Sequence, residues 1–131
     1  MLDGVTSVGP SWAARNGQVL RFFAPLLILA GILGFVLPPQ LSLMSGAAPY
    51  NLFHLLAGAV GLAVAHRGST AAATTFNLSF GCIDLYQAVA GLTGLFPARW
   101  FELRPADHVV HVLIGLFLVG VAYLGLGRRS A

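Results

Sequence analysis

Four apolar runs separated by short polar breaks decide what this chain can become. The first, Phe22 to Val36, is preceded by Arg21 and stopped by Pro38-Pro39; the second runs from Tyr50 to Ala65 and closes on His66-Arg67-Gly68. The third, Thr70 to Phe96, is the longest, and the fourth, Val109 to Gly127, ends at Arg128-Arg129. A span needs about 20 mostly apolar residues, so four spans with their connections nearly exhaust 131 residues. The expected fold is all-α: a polytopic integral membrane protein, a four-transmembrane-helix bundle with helices at about 19–37, 50–65, 70–96 and 108–127. Residues 1–18 read as an N-terminal cytoplasmic tail, with an interfacial turn from Ser11, and residues 128–131 as a cytoplasmic C-terminus.

Composition closes off the alternatives. Only 8% of residues are charged and 57% are hydrophobic, where a soluble domain carries about 25% charged residues. The basic residues are all Arg and scatter among segment ends, so they form no stripe for nucleic acid. They fit a topology instead: Arg15, Arg21, Arg67, Arg128 and Arg129 fall on one side and Arg99 and Arg104 on the other, which places both termini inside. Ser45-Gly46-Ala47 faintly resembles a signal cleavage site but lies past two prolines, so the first helix reads as retained. Cys82 is the lone cysteine and can form no intramolecular disulfide.

The chain also resembles itself. Ala30-Gly31-Ile-Leu-Gly34 near the end of the first helix matches Ala90-Gly91-Leu-Thr-Gly94 near the end of the third, 60 positions on. His54 with Gly58 opens the second helix as His111 with Gly115 opens the fourth, 57 positions on, which predicts a second loop three residues shorter. The expectation is a bundle of two repeated helical hairpins, related by an axis along the membrane normal. Gly31, Gly34, Gly58, Gly61, Gly91, Gly94 and Gly115 fall in small-residue patterns that let helices approach closely, within one chain or between chains.

Few side chains offer chemistry. His54 and His111 are expected about one turn inside the outer end, each with a glycine four residues on that leaves room for a neighbouring helix or a flat cofactor. They read either as hydrogen-bonding packing residues or as the two axial ligands of a haem b; His54, Asp107, His108 and His111 are the alternative set for a metal near the outer surface. Asp107 also suits the N-cap of the fourth helix. The intramembrane polar residues are Asn77, Asp84, Gln87 and Tyr123. Asp84 lies about 18 Å deep by helical rise, some 12 Å below His111, with Tyr123 its expected partner. No Ser/His/Asp set, phosphate-binding glycine loop or paired carboxylates can be assembled.

Asn51-x-x-His54-x-x-x-Gly58-x-x-Gly61, Phe76-Asn77-x-x-x-x-Gly81, Gly91-x-x-Gly94 and Pro105-Ala-Asp107-x-x-x-His111-x-x-x-Gly115 together resemble a family of small bacterial four-helix membrane proteins known as a domain of unknown function. The resemblance implies a bacterial plasma (inner) membrane location and supplies no activity; His108 departs from the family pattern. The leading expectation is a non-catalytic accessory or oligomerising subunit of a membrane complex, requiring no cofactor. Its partners are the lipid bilayer and copies of itself or other membrane subunits, with no nucleic acid. A haem- or metal-binding redox protein using His54 and His111, and an oligomeric proton or ion channel or transporter using Asp84, are the alternatives.

Overall fold

The computed structural model of the chain describes residues 11–127, so the expectations for the extreme N-terminus and for Arg128-Arg129 lie outside the described residues. Among those residues the structure is all-helical: α1 (Trp12–Val36), a 3-10 turn at Pro39–Leu41, α2 (Ala48–Arg67), α3 (Thr70–Thr93) and α4 (Pro105–Gly127). α1, α2 and α4 are long and apolar enough to cross a membrane. α3 is as long but buries Thr74, Asn77, Asp84 and Gln87. Phe22, Leu56, Leu92, Leu113 and many other large apolar side chains stand exposed on the bundle exterior, as a lipid-facing surface requires and a water-facing one does not tolerate.

Helix boundaries follow local chemistry. α1 begins at Trp12 rather than near Val19, because the Ser11 hydroxyl accepts the Ala14 N–H at 3.1 Å and starts the helix. α3 stops at Thr93, short of the expected Phe96, because Gly94 takes the left-handed conformation (φ 75°) and its N–H closes on Ala90 O. α4 begins at Pro105, where a missing N–H costs nothing. Asp107 is therefore not the N-cap: it sits in the first turn and reaches back to accept the Arg104 N–H at 2.8 Å, the return half of a capping box.

α1 lies mainly against α2 and α3 mainly against α4; α1 also packs on α3 and α4, while α2 and α3 meet only slightly. Glycines set the two close pairings. A Cβ on Gly58 would come within 2.6 Å of Ile28 and 3.0 Å of the Ala24 carbonyl, and one on Gly115 within 2.8 Å of Leu85 and 3.0 Å of the Gly81 carbonyl. A Cβ on Gly34 would overlap the Asn51 amide, and one on Gly91 the His108 ring. In both comparisons each residue of the α3–α4 pair lies 57 positions after its counterpart in the α1–α2 pair. The helix limits keep the same interval, from Val36 to Thr93 and from Ala48 to Pro105. Gly94, which the match at 60 pairs with Gly34, is a helix cap with open space beside it, and the tightly packed glycine 57 positions after Gly34 is Gly91. The glycines beside the two histidines admit α1 and α3, not a flat cofactor.

The end of the bundle that carries the α2–α3 turn is held by a polar contact that the apolar runs do not announce. Asn16 is fully buried; its amide donates to Val121 O (3.0 Å) and Trp12 O (2.8 Å), and Asn77 donates to Asn16 O and Oδ1 at 3.1 and 3.0 Å. Asn16 thereby ties α1, α3 and α4 together. Replacing it with Leu is expected to destabilise the bundle by about 1–2 kcal/mol, read as a lower thermal unfolding midpoint in detergent, because the Asn77 amide keeps only the backbone carbonyl at position 16 and the Val121 carbonyl loses its side-chain donor.

Candidate functional site

The opposite end, where the long connections 37–47 and 94–104 lie, gathers most of the side chains singled out in the sequence. Asp107 is fully buried, and both of its oxygens are occupied. Oδ1 accepts the Tyr50 hydroxyl at 3.0 Å, and Oδ2 accepts the backbone N–H groups of Ser45 (2.9 Å) and Arg104 (2.8 Å). One carboxylate thus joins both connections and helices α2 and α4. The Ser45 hydroxyl donates to the Phe101 carbonyl, and the Arg104 guanidinium donates to Ser42 O at 2.8 Å. Phe101 is buried against the rings of Tyr50 and Phe53.

Tyr50 is the centre of this arrangement and is not among the sequence candidates. Its hydroxyl also meets His111 Nε2 at 2.8 Å. A hydroxyl has a single proton, and here it goes to the carboxylate, so His111 donates from Nε2 and keeps Nδ1 as a bare acceptor. That Nδ1 is buried without a hydrogen-bond partner. The Tyr50 ring lies 4.2 Å from the His54 ring and 5.9 Å from that of His111, between centroids, so it contacts both imidazoles. A signal for Tyr50 does exist in the sequence: it stands four residues before His54, one turn away on the same helix face, as Asp107 stands four before His111.

This geometry disposes of two expected ligand sets. A porphyrin between His54 and His111 would have to displace Tyr50, and the His111 Nε2 it needs is bonded to the Tyr50 hydroxyl. The metal set of His54, Asp107, His108 and His111 does not assemble: His108 packs over Gly91 on α3, and among the described residues no three His, Cys, Asp or Glu side chains group to hold an ion.

Asp84 also differs from expectation. Tyr123 is 71% exposed and points away from the core, whereas Asp84 is buried on α3, so the two are not partners. With α3 ending at Thr93, Asp84 lies nearer the two-connection end than expected. Gln87, one turn on, is buried with its carbonyl oxygen unpaired, as is the carbonyl oxygen of Asn77. Phe80 and Leu118, packed together with Leu27, lie in the apolar core between these two levels of α3.

His54 is buried, with 7% of its surface exposed; it makes ring contacts with Tyr50 and Phe53 and has no hydrogen-bond partner among the described residues. It lines a groove of about 490 Å³ together with Tyr50, Ser45, Ala30, Gly34 and Ala106. No known protein family, curated protein or solved structure matches the chain.

Proposed function

We propose that the chain is a non-catalytic integral protein of the bacterial plasma membrane, with four spans formed by two repeated hairpins and both termini cytoplasmic, acting as an accessory subunit of a larger membrane complex. The observation that carries this reading is the use made of Asp107: its oxygens hold two backbone connections and Tyr50 in place instead of facing a cavity as a free acid or base. A bundle whose polar groups join its own parts and whose exterior is apolar has only lipid and other membrane proteins to act on.

Four spans are supported by the length of α3 and by the direction of its polar stripe, which is buried against the other helices and so sheltered from lipid. The repeat is supported by contacts between counterparts: Tyr50 bonds Asp107, and Phe23 packs edge-on to Phe80 at 5.4 Å, each pair 57 positions apart. The surfaces of Gly31, Gly34, Gly58, Gly61, Gly91 and Gly115 are consumed within the chain, so association with partners uses the exposed faces.

Mild-detergent purification from native membranes, followed by cross-linking and size analysis, tests the function. A stoichiometric membrane partner or a defined oligomer is expected; a bare monomer from several detergents would sink the reading. The topology is tested separately, in a Cys82→Ser background, with Arg67→Cys and Arg99→Cys, which are exposed at opposite ends of the bundle. Each is expected to react with a membrane-impermeant thiol reagent from one side only, and from opposite sides.

A further inference from the structure

The groove beside His54 is more than a gap between helices. Its polar floor is made by Tyr50, Ser45 and His54, and its walls are apolar. Leu41 and Leu43 of the first connection also line it and are 73% and 83% exposed, so its mouth is itself apolar. In a membrane such a mouth opens to lipid more readily than to water, and what enters must be lipid-soluble.

His54 is the feature that asks for an occupant. Tyr50, His111, Ser45 and Asp107 are bonded to one another, but the imidazole of His54 ends in the groove with no hydrogen bond. A nearly buried imidazole left unbonded forfeits the free energy of its polar atoms, which a ligand's oxygen can restore. The groove volume falls in the ordinary range for small-molecule sites, which run from about 300 to 1,000 Å³ and combine apolar walls with a few converging polar groups.

The same surroundings select the head group. No Lys or Arg side chain lines the groove, so an anionic head such as a fatty acid finds no counter-charge there. No acidic side chain lines the groove, so a cationic head has no counter-charge there. A neutral hydrogen-bond acceptor remains. Ala30 and Ala106 contribute almost no side-chain bulk, leaving space for a flat ring beside the imidazole, while the space beside Gly34 is taken by the Asn51 amide.

We propose that this groove is a binding site for a membrane-soluble quinone, with His54 donating a hydrogen bond to a ring carbonyl and the apolar tail leaving past Leu41 and Leu43. Only binding is meant, with no electron transfer. The site goes beyond the accessory-subunit reading and is independent of it, since a quinone can bind whether or not a protein partner exists.

The test uses the purified full chain in lipid nanodiscs titrated with decylubiquinone, with empty nanodiscs subtracted to remove partitioning into lipid. One saturable site per chain is expected. His54→Leu is expected to weaken it about tenfold, the worth of one lost buried hydrogen bond. Ala30→Trp, which fills the groove and keeps His54, is expected to abolish saturable binding. Leu56→Trp, in the separate groove lined by Phe53, Val60 and Phe76, is expected to leave it unchanged. If His54→Leu fails to fold, Ala30→Trp together with the imidazole ¹⁵N shift of His54 on titration decides the question equally well. Partitioning without saturation, wild-type affinity in the groove variants, or equal displacement by laurate or dioctanoylglycerol would overturn the proposal.

Discussion

Asp107→Ala is expected to be the most damaging single substitution in the chain, lowering stability by about 2–6 kcal/mol, the cost of two orphaned buried donors. The residue is fully buried, and its removal leaves the N–H groups of Ser45 and Arg104 without an acceptor and frees the Tyr50 hydroxyl. Each orphaned buried donor costs about 1–3 kcal/mol, and the hydroxyl can donate to His111 Nε2 only after that ring moves its own proton to Nδ1. Asp107→Asn is the informative companion, because its amide oxygen can keep one set of donors while its NH₂ faces the other. Thermal unfolding in detergent should rank wild type above Asn and Asn above Ala. A wild-type midpoint for Asp107→Ala would show that the two connections are not held through this carboxylate. Limited proteolysis should locate the loss, with cleavage rising first in 37–47 and 94–104.

Gly58→Ala comes next, with an expected cost of about 1–3 kcal/mol from overpacking. The added carbon would meet Ile28 at 2.6 Å and backbone atoms of α1 at 2.9 and 3.0 Å, so a side-chain rotation alone cannot relieve it and the helices must part. Gly120→Ala is the matched control: nothing lies within 4 Å of its added carbon, and the higher helix propensity of Ala makes the change neutral or mildly stabilising. Equal unfolding midpoints for the two variants would contradict the close packing of α1 on α2.

The number and order of helices are legible in the sequence because apolar run length and the prolines and glycines between runs act locally. Positions near the helix ends are not. Val19 looks like a beginning because the residues before it are polar, yet Asn16 belongs inside, its burial offset by Asn77 and the Val121 carbonyl far away in sequence. Gly94 looks like a packing glycine because it repeats the spacing of Gly34, and only its φ of 75° reveals a cap. Taking that cap for a packing residue moves the register of the proposed repeat by three residues and, by lengthening α3, pushes Asp84 too deep.

The histidines are legible as a pair but not in their roles. Sequence spacing places His54 and His111 at matching levels, and both do contact Tyr50. Which nitrogen is free depends on Tyr50 and Asp107, two residues whose significance lies in meeting each other. Tyrosine in an apolar segment carries no such signal by itself, and Asp107 has an adequate local explanation as a cap.

In the repeat proposed above, Tyr50 and Asp107 occupy the same place in the two halves of the chain, and they touch one another, as Phe23 and Phe80 do. Wherever a position meets its own counterpart, two copies of one half would set identical groups face to face. Phenylalanine accepts that, but two carboxylates would repel, and two tyrosines would leave the Ser45 and Arg104 N–H groups without an anion. Having both halves on one polypeptide permits an acid opposite a phenol, and so makes left and right unlike. The asymmetry is what leaves one imidazole engaged and the other bare.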